Sequence, residues 1–382
     1  LILKPPKEMS AMPIGYIEKK DSAHGPPADP AGSQYFRSSD IAISHNPPVT
    51  HNAMGGFSFL WGDFTIRYRH HAMKNITIPK EVADIVHALE SAGFKAYPVG
   101  GCVRDVLLGI EPKDWDITTN AKPEEIRAIF PKTFYENKFY TVTIKTDSNH
   151  NTLKEIEITT FRSEGKYEDK RRPSDIRPAQ TVEEDLSRRD FTVNAIAMNI
   201  GENRERETSE KSPSLIDPFD GQKDIEAKLI RAVGNANERF EEDALRMLRA
   251  VRIAITLGFE IEKETASAIT RHGQSLKLIS KERVRDEFIK IISSNNAQKG
   301  IELLRARGLL RCFLPEIEEG IDIGQNKHHI YTVWEHNLRA LDYAAKEKYE
   351  PLIRLAALFH DIAKPRSKRG DGYDSTFYGH DV

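Results

Sequence analysis

Hydrophobic and polar positions along this chain fall into two regimes. Over residues 1 to 72 the apolar residues keep neither a 3.6 nor a 2 period, and Pro and Gly keep interrupting, as in Gly25-Pro26-Pro27, Pro47-Pro48 and Gly55-Gly56. The chain opens on Leu, whereas Met73 opens the first coherent pattern, so residues 1–72 read as a disordered or non-native leader. From Ile78 onward Val82, Ile85, Val86 and Leu89 mark one face of a helix, and Gly93 marks its stop. Short runs at Ala96 to Val99, Trp115 to Thr118, Thr141 to Lys145 and Glu155 to Phe161 predict strands set between helical stretches. That alternation implies a small mixed-sheet α+β domain over residues 73–200. From Ile225 the pattern is almost entirely helical, which suggests helical domains over 201–325 and 326–382.

Composition narrows what such a chain can be. With 56 Lys and Arg against 58 Asp and Glu, a net charge of −2, it is no uniformly basic coat for nucleic acid. The charge is unevenly spread, however. Between Lys223 and Arg311 there are 18 Lys and Arg against 13 Asp and Glu, so the helical part is the better candidate for a phosphate backbone, although solvated helix faces would explain the same charges. Two cysteines, Cys102 and Cys312, cannot staple 382 residues, and no secretory apolar segment opens the chain, so a reducing, cytoplasmic setting is expected. The longest helix-like apolar stretch, Leu352 to Phe359, is far short of the roughly 20 residues a bilayer span needs, so no membrane span is expected.

The first candidate constellation begins at Gly100-Gly101, between a predicted strand and a helix running to Gly109. Glycines there let backbone N–H groups approach phosphate oxygens, although strand-to-helix turns also use glycine for steric reasons alone. Asp114 and Asp116 follow, and residues two apart on a strand project from one face, so two carboxylates would lie side by side. Such a pair calls for a cation, and Mg2+ suits oxygen ligands while leaving positions for substrate phosphates. In Glu155-Ile156-Glu157-Ile158-Thr159 the alternation puts Glu157 opposite the isoleucines, where it can join the pair. Three carboxylates beside a Gly-Gly turn is a layout for two-metal nucleotidyl transfer.

The second constellation has two parts. Arg188 to Ala195 reads as a helix start with Asp190 and Asn194 on one face; Arg and Asn suit phosphate and ribose, and N-capping by Asp190 is an equally ordinary explanation. Asp243 and Arg246 share a helix face at i, i+3, where an ion pair of ~0.3 to 0.5 kcal/mol is the commonest use. An acceptor beside a donor fork also complements cytosine and adenine, which offer an amine next to a ring nitrogen. Uracil and guanine present the reverse order, and a buried site rejects them by leaving polar groups unpaired.

The ordered set of these motifs resembles the bacterial class II tRNA nucleotidyltransferases, the CCA-adding enzymes, within the group that also holds bacterial poly(A) polymerases. It comprises Gly100 to Asp105 with Asp114 and Asp116, Glu157 to Arg162, Arg188 to Ala195, Asp217 to Gly221, Arg239 to Arg246 and Lys281 to Val284. The resemblance implies a catalytic head, a neck that reads the incoming base, and a helical body that holds the 3′ end and acceptor stem of tRNA. It implies that Asp114 and Asp116 bind Mg2+ with Glu157 as third catalytic carboxylate, and that Gly100, Gly101, Arg104, Arg189, Asp190 and Asn194 meet the nucleotide. Asp243 and Arg246 would read the base of CTP or ATP with support from Glu242, and Glu164 to Pro173 resembles a loop associated with the switch from C to A addition.

Further on, Tyr331 to His336 and Ala356 to Pro365 resemble an HD-type metal-dependent phosphohydrolase domain, implying a second divalent-metal site at His336, His360 and Asp361. Such a domain needs more residues than follow Asn326, and its later Asp ligand does not occur, so the domain is expected to be partial. Three functions stay open: addition of CMP and AMP to tRNA, A-only or poly(A) synthesis on the same head, and an RNA-binding or HD-type hydrolase protein.

Overall fold

The computed structural model describes residues 77–136, 140–164, 176–201, 213–326, 329–370 and 375–380. All lie in one unit running from Tyr68 to Val382. The expected leader over 1–72 lies outside the described residues, as does the loop of Glu164 to Pro173 beyond its first residue.

Helix α1 (Lys80–Ser91) buries the face spelled by Val82, Ile85, Val86 and Leu89. It stops where Gly93 takes a φ of +89°, a conformation that costs glycine nothing. There follow β1 (Ala96–Pro98), α2 (Gly101–Leu107), β2 (Asp116–Thr119), α3 (Pro123–Ile129), β3 (Thr133–Glu136), β4 (Thr141–Lys145) and β5 (Glu155–Thr160). The strands form one sheet in the order β1-β2-β5-β4-β3. Strands β2 and β5 are parallel, and the other pairs are antiparallel. On β5 the buried positions are Ile156, Ile158 and Thr160, so the alternation read from the sequence sets which face carries Glu157. Strand β3 was not legible, because an edge strand with Phe134 at 61% exposure has no buried alternation to betray it.

A hairpin of β6 (Arg162–Glu164) and β7 (Ile176–Pro178) leads to α4 (Val182–Ser187). The Arg188 to Ala195 segment is not a helix start: Phe191 is extended and buried, and only Thr192–Asn194 forms a single 3-10 turn. Then come β8 (Ala197–Asn199) paired with β9 (Ser214–Ile216), α5 (Gly221–Glu226), β10 (Leu229–Ile230), α6 (Ala236–Glu242) and α7 (Leu245–Leu257). The expected run of pure helix is interrupted by β10, which pairs in parallel with β11 (Glu260–Ile261). Helices α8 (Lys263–His272), α9 (Lys281–Ile292), α10 (Ala297–Ala306), α11 (Pro315–Glu318), α12 (Val333–Lys346), α13 (Pro351–Phe359) and α14 (Lys364–Ser367) complete the order.

The architecture is α+β with a mixed sheet and a helical remainder, as the pattern implied. One hydrophobic cluster runs unbroken from Val82 through the sheet, α7 and α9 to Leu358. A smaller cluster of Val99, Phe161, Ala179, Val182, Leu186, Ala195, Ala197 and Val233 lies under the Gly100 turn. At about 25 cal/mol per Å2 of apolar surface, such continuous burial ties sheet and helices together. Among the described residues no helix is long and apolar enough to cross a membrane.

Candidate active site

The carboxylate cluster is built by strand register. Strand β2 starts at Asp116, not Trp115; Asp114 lies in the bend before it and is exposed, while Trp115 between them is buried. Asp116 pairs across the parallel β2–β5 ladder with Glu157, which puts the two side chains on one face. Burial pushes the Asp116 carboxyl up to about 6, with Asp114 and Glu157 adding to the rise and Arg189 opposing it. Three mutually repelling carboxylates with oxygen donors only are a fit for Mg2+, the hard cation that takes such ligands and keeps room for phosphate.

Beside them Gly100 turns with φ +86°, and a Cβ there would lie 2.7 Å from Arg189 Nη1. Glycine is therefore required twice, for the backbone angle and for the guanidinium lying against the turn. The Nε of Arg189 is buried without a hydrogen-bond partner among the described residues. Its Nη2 sits 3.5 Å from Asp185, which is itself wholly buried. Asp185 also accepts from Thr118 Oγ1 at 3.1 Å, the Arg162 N–H at 3.3 Å and Arg188 Nη2 at 2.6 Å. No role was read for Asp185 in the sequence. The available signal was an acid between Val182 and Leu186 on the buried face of α4.

A chain of polar contacts links α2 to α7. Arg104 Nη1 donates to Asn194 Oδ1 at 2.6 Å, and Arg104 also pairs with Asp105 at 2.6 Å. Asn194 Nδ2 reaches Asp190 Oδ1 at 3.4 Å, and Asp190 Oδ2 takes Arg249 Nε at 2.7 Å. Burial alone would raise the Asp190 carboxyl, but Arg249 reverses that and holds it at about 2. Asp190 is thus an ion-pair partner rather than an N-cap. Arg249, an arginine one turn beyond Arg246, was missed. The turn is braced from below: a Cβ on Gly221 would fall 2.2 Å from the Thr192 carbonyl, and Asp224 accepts from Thr192 Oγ1 at 2.6 Å.

Asp243 and Arg246 do not share one continuous helix. Asp243 breaks α6 from α7 with φ −145° and ψ 105°. Its Oδ1 caps α7 by accepting the Leu245 N–H at 3.0 Å, and its Oδ2 takes Arg283 Nη2 at 2.7 Å. Arg246 donates to Glu242 Oε2 at 2.5 Å and through Nη2 to the Arg188 carbonyl at 3.0 Å. The i, i+3 ion pair that the spacing allows is replaced by separate partners, and Glu242 supports Arg246, with its second oxygen on Arg239 at 2.5 Å. The Arg188 carbonyl joins Arg246 to the Arg-Arg-Asp segment, so the paired acceptor and donor lie next to the Asp190 network.

The second cluster is local. His360 and Asp361 lie in the turn just after α13, not within the helix, and α12 brings in His336. His336 Nε2 is 3.0 Å from His360 Nε2 and 3.4 Å from Asp361 Oδ2. One donor atom from each lies within 4.8 Å of the others. Two further residues crowd Asp361: Lys364 Nζ at 2.7 Å and His380 Nε2 at 3.5 Å. Against the rise that burial would cause, hydrogen bonds from His360 and Lys364 hold the Asp361 carboxyl well below the usual carboxylate range.

Comparison with known proteins bears on the sheet and on the helices that follow it. The family described as "Poly A polymerase head domain" matches residues 96–231, and the one described as "Probable RNA and SrmB- binding site of polymerase A" matches residues 258–321. The chain is 42% identical over 291 residues to the CCA-adding enzyme of Leuconostoc citreum, covering 72% of this chain and 67% of that one. It is 42% identical over 246 residues to the CCA-adding enzyme of Geobacillus thermodenitrificans, covering 63% of this chain but only 55% of that one. Among solved structures, the Bacillus stearothermophilus CCA-adding enzyme in complex with CTP superposes with a TM-score of 0.55 at 34% identity, over 74% of this chain and 66% of that one.

Proposed function

The chain belongs to the family of CCA-adding enzymes, and from that premise we propose that it adds CMP and AMP to the 3′ end of tRNA, consuming CTP and ATP and releasing pyrophosphate. The observation that carries this reading is the in-register pairing of Asp116 with Glu157 beside the Gly100 turn, with Asp114 adding its charge. In this reading residues 73–200 form the catalytic head, 201–325 the neck and body, and 326–382 a segment of HD type.

Each addition forms a bond from the primer 3′-hydroxyl oxygen to the α-phosphorus and breaks the bond to the leaving pyrophosphate. Asp114, Asp116 and Glu157 would hold Mg2+, which lowers the pKa of the attacking hydroxyl and neutralises charge on the leaving group. Arg189, with a buried donor unmet, and the Gly100 turn receive the triphosphate. Arg104 fixes Asn194, and Arg249 fixes Asp190, so both approach the ribose from set positions. Asp243 accepts from the exocyclic amine of C or A while Arg246 donates to the ring nitrogen. The basic surplus between Lys223 and Arg311 suits the tRNA backbone. The substrates are cytoplasmic and so, on this reading, is the chain.

Incubating the protein with tRNA lacking its terminal nucleotides and each nucleotide separately tests the proposal. CTP alone should extend the primer by C, and ATP should then complete it. Extension by ATP alone, with CTP inert, would instead favour A-only or poly(A) synthesis. The convergence of His336, His360 and Asp361 supports a second divalent-metal site, to be tested by titrating Mn2+ into the protein and into its His360→Ala variant.

A further inference from the structure

Arg283 carries no role in the reading above, yet it sits where a role is needed. It occupies the third position of α9, at the helix end that disfavours cations by roughly 0.3 to 1 kcal/mol. Helix propensity therefore does not account for a cation at that position. Nor does core packing, because its side chain is 38% exposed while its neighbour Val284 takes the buried position. What Arg283 does have is Asp243: Nη2 lies 2.7 Å from Oδ2 of that carboxylate.

Asp243 stands at the break between α6 and α7, where its N–H closes α6 on the Arg239 carbonyl at 3.3 Å and its own carbonyl accepts the Arg246 N–H at 3.0 Å. Its Oδ1 is committed to the Leu245 N–H, and Arg283 is the side chain that fixes Oδ2. A carboxylate oxygen has two lone pairs, so Oδ2 can accept from Arg283 and still accept one more donor. The same helix braces its neighbours, since Glu287, one turn on from Arg283, takes Arg252 of α7 at 2.7 Å. Helix α9 therefore grips α7 on one side and Asp243 on the other.

We propose that Arg283 is a positioning residue for nucleotide choice: it holds Asp243 in one rotamer, with a free lone pair aimed as an acceptor for the amine of C or A. This rests on the reading of Asp243 as a base reader. A carboxylate freed from Arg283 could rotate, and that change would admit the carbonyl of U or G.

The test compares the protein with its Arg283→Met, Arg283→Lys, Asp243→Ala and Asp243→Ala/Arg283→Met variants, with Arg285→Met as control because, among the described residues, Arg285 pairs only with exposed Asp286. Primer extension is followed with CTP and with UTP, giving kcat/KM for each. Arg283→Met should lower the CTP-over-UTP preference by roughly tenfold or more, the lower end for a charge-assisted hydrogen bond, while Arg285→Met leaves it unchanged. Arg283→Lys should restore part of the preference. The double variant should be no less selective than Asp243→Ala alone, since both act through one group. Loss of rate by one common factor for both nucleotides in Arg283→Met, with preference intact, would make Arg283 a scaffold residue and overturn the proposal. If Asp243→Ala itself kept full preference, the base-reading assignment would be what failed, and the Arg283 proposal with it. Arg283→Lys covers the case in which the methionine variant folds poorly: a preference equal to the parent's in a lysine variant whose Nζ no longer protects Asp243 from carbodiimide modification would also overturn it.

Discussion

The carboxylate site of the sheet and the histidine cluster after α13 both gather cation-binding groups, but they leave charge in opposite states. At Asp116 burial and two neighbouring carboxylates raise the pKa against the pull of Arg189. At Asp361 a lysine amine already lies 2.7 Å away and the carboxyl is held low. On the proposed reading, a divalent cation and a triphosphate complete the first arrangement. The second is largely satisfied by its own protein groups. Counting ligand-type residues would rate the two clusters alike; the local balance of charge separates them.

That contrast can be broken most severely at the sheet. Asp116→Ala removes a carboxylate from the sheet site, and nucleotide addition should fall by about 10^3-fold or more while tRNA binding measured by filter retention stays near the parent value. Turnover within tenfold of the parent would undo the assignment. Next in size, Asp243→Ala should slow CTP and ATP use while UTP or GTP incorporation becomes measurable, because discrimination by a buried hydrogen-bonding site reaches ~10^4 and one partner is gone. A uniform slowing of all four nucleotides would make Asp243 only the bridge between α6 and α7.

Smaller effects sharpen the comparison through stability. Arg249→Met leaves Asp190 buried and unpaired, and should cost about 3 kcal/mol in urea unfolding, the usual scale for breaking a buried pair from one side. The Asp190 carboxyl sits at about 2 in the folded chain against 3.8 ordinarily. A depressed folded value adds stability above pH ~4 that is lost as pH falls toward ~2, so the gap between the parent and Asp190→Asn should shrink by about 2 kcal/mol between pH 5 and pH 2.5. An unchanging gap would mean that the pairing has little electrostatic content. The smallest effect is expected at the second cluster: His336→Ala should leave CTP addition within about twofold, since none of its contacts reaches the sheet site, and should weaken Mn2+ binding followed by calorimetry.

Local periodicity was enough for much of the head. The face of α1, the alternation of β5 and the bounds of β4 followed from which residues are apolar, because a helix stripe and a strand face are decided by neighbours three, four or two positions apart. The Arg188 to Ala195 stretch was misread for the complementary reason. Its extended Phe191 is set by burial and by a bridge to Ala232, about forty residues away. Asp185 and Arg249 were passed over because an isolated charge on an apolar face gives no hint of its partner.

By itself the sequence singled out the candidates for chemistry, namely the glycines of the turn, Asp114, Asp116 and Glu157, and Asp243 with Arg246, and it spelled the family. Those assignments depend on residue type and short spacing, and both are written in the chain. Tertiary structure alone decided how each charge is satisfied. It set Asp116 against Glu157 by strand register, gave Asp190 to Arg249 and Asp243 to Arg283, and brought His336 to Asp361. Electrostatic energy depends on distance and burial in space, and separation along the chain encodes neither.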